Sequence, residues 1–95
     1  MTLATRRRLI ITGRVQGVFY HAWLTEQATA LGLAGWVRNR ANGSVEAVVE
    51  GAGAAVDRLV ALARQGSPAS RVDGVAVSDD APTESLSGFA QRPTA

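Results

Sequence analysis

Asn42-Gly43 stands between two strand-like runs near the middle of the 95-residue chain. Both residues tolerate positive φ, so the pair turns the backbone back on itself and fixes an antiparallel hairpin. The arms are Ala34–Arg40, reading AGWVRNR, and Ser44–Gly51, reading SVEAVVEG. Each arm is flanked by a segment of helical period. Before the hairpin, Tyr20, Leu24, Ala28 and Leu31 recur along Phe19–Leu31, with Trp23 beside them, and Gly32 is a natural stop. After it, Val56, Leu59, Val60 and Ala63 mark Ala54–Gln65, closed by Gly66-Ser67-Pro68.

Outside the helices lie two more strand-like runs, Arg6–Thr12 and Arg71–Val77. Asp79–Ser85 is polar and reads as a loop. Leu86–Arg92 is a candidate last short strand, and Pro93-Thr94-Ala95 a tail. The order β-α-β-β-α-β, with a possible fifth strand, is the split β-α-β arrangement. It predicts an α+β, ferredoxin-like sandwich: two helices on one face of a four- to five-stranded, mostly antiparallel sheet. The length suits one domain, residues 1–95 with a core over about 6–92. That fold hosts many functions and settles no chemistry by itself.

Composition removes several classes. There is no cysteine, hence no disulfide, thiol nucleophile or thiolate metal site, and no copper-chaperone chemistry. One histidine makes a histidine-based zinc site within one chain a poor reading. No apolar run approaches the roughly 18 residues of a membrane span. The basic opening MTLATRRRLIITG is followed by too few apolar residues for a secretory leader, which needs about 7–15. The expectation is a cytoplasmic protein, with monomer the default for this size. The pI of about 10.4 suggests nucleic acid, but every cation is arginine and the formal net charge is only +2. Arginine stays charged to very high pH, which lifts the pI without much charge at neutrality. The first and third strands also carry no aromatic residue on which a base could stack. No nucleic-acid partner is expected. No G-x-S-x-G accompanies the histidine, so a serine triad has no support.

The chemistry concentrates in Gly13–His21, GRVQGVFYH. Gly13 to Val18 reads as a loop between a strand and a helix. Such a loop gathers backbone N–H groups beside the orphan donors and positive end of the helix. That combination suits an anion, phosphate best. On spacing alone, two glycines that merely shape the connection remain the simpler account. It is not a Walker loop, since G-x-x-x-x-G-K-[ST] is missing.

GRVQGVFYH, then LGLAGWVRN, then NGSVEAVVEG, together resemble the acylphosphatase family, in order and with its gaps. The Gly66-Ser67-Pro68 turn and Gly88-Phe89 fit as well, so the resemblance runs from about Arg8 to Arg92. It implies hydrolysis of a carboxyl–phosphate anhydride, with no metal or cofactor and no covalent phosphoenzyme. It implies a phosphate cradle at Arg14, Val15, Gln16, Gly17, Val18 and Phe19, and a water-orienting role for Asn39. The substrate implied is a small acyl phosphate; the acyl group itself is not readable. Asn39 suits its role because a carboxamide both donates and accepts. Arg38 alternates with it and should face the other side of the sheet.

One position departs from the family. Where the motif ends in a phosphate-binding arginine, this chain has His21, its sole histidine. Arginine offers a fixed charge and a two-pronged fork. Histidine offers fewer donors and a charge only when protonated. A charge-assisted hydrogen bond is worth roughly 1.5–3 kcal/mol. Its partial loss predicts on the order of 10- to 150-fold less catalysis if nothing compensates. Arg8 is too far back along its strand to substitute, and Arg14 is already part of the motif. Three expectations result: an acylphosphatase that uses His21 as a weaker phosphate ligand, a weak or inactive binder of acyl phosphate, or a chain in which His21 is a helix-face residue with another role and the function is something else.

Overall fold

A computed structural model describes residues 4–80 and 85–95. The element order is β1 (Thr5–Arg14), α1 (Tyr20–Ala30), β2 (Ala34–Asn39), β3 (Val45–Gly51), α2 (Gly53–Gln65), β4 (Arg71–Asp79) and β5 (Phe89–Gln91). The strands form one sheet in the order β4-β1-β3-β2-β5. β1 pairs antiparallel with both β3 and β4, and β2 antiparallel with β3. Only β5 runs parallel to its neighbour, β2. This is the expected ferredoxin-like α+β sandwich, with the fifth strand present. The loop expected over Asp79–Ser85 falls largely on 81–84, outside the described residues; Asp79 itself ends β4.

Alternation along the strands sorts side chains onto two faces. Leu9 and Ile11 of β1, Val37 of β2, and Val45, Ala47 and Val49 of β3 turn toward the helices and are fully buried. Tyr20, Leu24 and Ala28 of α1 and Val56, Leu59, Val60 and Ala63 of α2 close that core. The Tyr20 hydroxyl donates to the carbonyl of Ala63 at 2.9 Å, tying one helix to the other. Burial pushes the Tyr20 phenol above its usual ionisation range. Gly32 ends α1 in the left-handed region, where the Leu33 N–H returns to the Ala28 carbonyl at 3.0 Å.

The face without helices carries charge. Glu46 is buried between guanidinium groups: Arg8 bonds its Oε2, Arg38 Nε donates to Oε1 at 2.7 Å, and Arg40 lies 3.8 Å away. Arg6 reaches Glu50, and Arg8 also reaches Asp80. Arg38 therefore faces away from Asn39, as alternation predicts. Trp36 also lies on this face, not in the main core. Its ring is covered by Arg38 and Arg92, at 4.8 and 4.7 Å from the centroid, which leaves it only 6% exposed.

Two local details differ from the sequence reading. The expected hairpin between β2 and β3 is present, but Asn42 is not at positive φ. Gly43 alone is left-handed there, at φ 92. Arg40 N–H donates to Ser44 O at 2.8 Å, and Gly43 N–H to Arg40 O at 3.1 Å. Ala41-Asn42-Gly43 is thus a three-residue loop, with Asn42 Oδ1 accepting from the Ser44 N–H and hydroxyl. Second, Gly13 and Arg14 are not loop. They continue β1 along β4, past a bulge at Thr12/Gly13. At φ 123 a Cβ on Gly13 would stand 2.2 Å from the Arg71 carbonyl oxygen, so close backbone approach to β4 demands glycine.

Candidate active site

The site grows from the place where β1 parts from β3. Their ladder ends at Ile11↔Val45, while β1 continues along β4 to Arg14↔Arg71. The divergence opens a cleft of about 230 Å³ lined by Thr12, Gly13, Asn42, Gly43 and Ser44. Beyond it the chain runs as residues 15–19 into α1. Val15 plugs into the core with no exposed surface. Gly17 turns at φ 72 with open space around it. Phe19 follows at φ 60, ψ 23, the one non-glycine residue at positive φ among those described. Its side chain is 80% exposed. An aromatic residue held left-handed and in water gains little from packing, so the backbone path is what fixes it.

That path leaves donors over. From Gln16 to Ala22 no backbone N–H donates to a carbonyl among the described residues; the first helical bond runs from Trp23 N–H to Phe19 O at 3.0 Å. No side chain caps α1, and its first turn holds no acidic residue. Neither a side-chain cap nor a first-turn carboxylate offsets the positive end of this helix.

Arg14 is exposed at the end of β1, and His21 is half-buried in the first turn of α1. Neither side chain has an ion pair or hydrogen bond among the described residues. Asn39 ends β2 opposite Val45, on the helix-covered face. Its carbonyl accepts from the Ala95 N–H at 3.0 Å. Its side-chain Oδ1 is buried and has no protein partner among the described residues. A buried acceptor without a partner is costly and uncommon in native proteins.

Sequence reasoning credited Gln16 with its amide alone. Its side chain crosses to the hairpin, where Nε2 donates to both Arg40 O and Ser44 O at 2.8 Å. The loop and the strand end that bears Asn39 are thereby braced together. No local pattern announces such a contact, since its partners are main-chain carbonyls 24 and 28 residues away.

A two-helix, five-stranded α+β sandwich with spare amides at a strand-to-helix connection is the class that fold and site define. The acylphosphatase family model matches residues 7–91. An acylphosphatase of Rhizorhabdus wittichii is 54% identical over 88 residues, spanning 93% of this chain and 88% of that one. One of Azoarcus sp. is 52% identical over 93 residues, 98% and 93% of the two chains. The crystal structure of acylphosphatase from Bacillus subtilis superposes with a TM-score of 0.88 at 34% identity, covering 95% of this chain and 99% of that one. The chain belongs to the acylphosphatase family, and so to the hydrolases. These likenesses lend no support to the inactive-binder alternative.

Proposed function

We propose that the residues 14–19 segment, His21 and Asn39 form the site at which a small acyl phosphate is hydrolysed. The backbone N–H groups of Arg14, Val15, Gln16, Gly17, Val18 and Phe19 cradle the phosphoryl oxygens, with the start of α1 adding its positive end. Arg14 supplies fixed charge at the rim. His21 donates to the phosphoryl group from the first helical turn. Asn39 holds the attacking water through Oδ1, which accepts a water proton and aims the oxygen lone pair at phosphorus. Water oxygen bonds to phosphorus as the phosphorus–oxygen bond to the acyl group breaks. R–CO–O–PO₃²⁻ and H₂O give R–COO⁻ and H₂PO₄⁻. A carboxylate leaves without needing a proton, so no general acid is required at the leaving oxygen.

The buried Oδ1 of Asn39 carries this reading. It is a buried acceptor, and a bound water gives it the partner it lacks among the described residues. Benzoyl phosphate hydrolysis by the wild type and by Asn39→Ala is the test. The variant is expected to lose about 100-fold or more in kcat, because a water one ångström out of place forfeits that much. Turnover that survives the change would remove Asn39 from the site. The same reading has the 9.9 kDa chain working as a monomer in the cytoplasm on a small molecule, without nucleic acid. Elution from a sizing column as a dimer would correct the first of these.

A further inference from the structure

We infer that the Gln16 side chain is a positioning residue: it sets the spacing between the amide cradle and Asn39. The inference rests on the site proposed above and concerns a contact which that reading does not use. Gln16 Nε2 donates to Arg40 O and Ser44 O, each at 2.8 Å. These are the two residues that close the hairpin, since Arg40 N–H also donates to Ser44 O at 2.8 Å. Arg40 directly follows Asn39, and Ser44 directly precedes Val45, the ladder partner of Asn39. One carboxamide from the loop therefore grips both sides of the strand pair one residue beyond Asn39.

The contact lies where the sheet has stopped doing this work. β1 and β3 no longer pair beyond Ile11↔Val45, so no ladder bond holds the start of the loop against the hairpin. Val15 and Tyr20 fix the loop to the core, but neither reaches the hairpin by a hydrogen bond. Two carbonyls require two donors, which a carboxamide nitrogen supplies from one atom and a carboxylate cannot. Catalysis between a cradle on one element and a water ligand on another depends on their separation to well under an ångström.

The test is a double-mutant cycle on benzoyl phosphate hydrolysis, with inorganic phosphate as competitive inhibitor and thermal unfolding recorded alongside. Gln16→Met keeps length and loses both donors; Gln16→Glu opposes two carbonyls with a third acceptor. Each is expected to lower kcat about tenfold or more, with the phosphate inhibition constant within about twofold of wild type. In the Asn39→Ala background, Gln16→Met is expected to cost no further kcat, because the water it helps to place is already lost. A kcat unchanged by both Gln16 variants overturns the inference, whatever happens to the melting temperature. So do losses that multiply in the double variant. A wild type inert toward benzoyl phosphate, by contrast, overturns the site assignment itself.

Discussion

His21 stands where the resemblance to the acylphosphatase motif implies an arginine, and the structure leaves its imidazole without an internal partner among the described residues. A single residue out of step with an otherwise matching pattern is what draws attention to it. His21→Arg is expected to raise kcat/KM for benzoyl phosphate by roughly 10- to 150-fold, the span of a recovered charge-assisted bond. A guanidinium brings a fixed charge and two parallel donors where an imidazole brings fewer. A variant no faster than wild type would show that His21 does not touch the phosphoryl group. Asn39 was less legible. Its place in the G-W-V-R-N pattern gave it a role, but only burial reveals that its Oδ1 lacks a protein partner.

Among the elements, period and turn chemistry identified both helices and every strand, with ends displaced by a few residues. The start of the β1–α1 loop was misread because tertiary contact decided what local sequence left open. Gly13 looks like the first residue of a loop because glycine follows an apolar run. It is glycine because β4, far along the chain, passes against its Cα. Gly13→Ala is expected to lower stability by more than about 3 kcal/mol in denaturant unfolding, since a Cβ meets backbone that cannot move aside. An effect below about 1 kcal/mol would mean that the bulge is not rigid. The link between helices makes a second prediction. The Tyr20 phenol is harder to ionise folded than unfolded, so the folded state binds the proton more tightly above pH 10 or so, the phenol's ordinary value. Its contribution is whole below that pH and fades as pH rises beyond it. Tyr20→Phe should be less stable by about 1 kcal/mol at neutral pH. It should then lose less than wild type between neutral and strongly alkaline solution; parallel losses would refute the assignment.

At the scale of the molecule the two faces of the sheet have separate duties. One packs the helices and presents Asn39. The other gathers Arg6, Arg8, Arg38 and Arg40 around Glu46, Glu50 and Asp80. The small net charge follows from the eight acidic residues set against ten arginines; on this face several of those opposite charges meet directly. Glu46 is 1% exposed, whereas Arg8, Arg38 and Arg40 are about a third open to solvent, which screens their share. Glu46→Gln is therefore expected to cost about 1–3 kcal/mol of stability while leaving kcat for benzoyl phosphate within twofold. A large fall in kcat in a folded variant would tie this face to the reaction.

The strand order β4-β1-β3-β2-β5 has one more consequence, which concerns how the chain comes into being. β1 is made first, yet both of its neighbours belong to later stretches of the polypeptide. During synthesis it waits with its apolar side unshielded until β3 emerges, and with one edge open until β4 does. Assembly must then close long loops before either ladder of β1 rewards them, which favours slow folding. A strand that ends up paired on both edges is, for that interval, vulnerable to association with a neighbour on the same message.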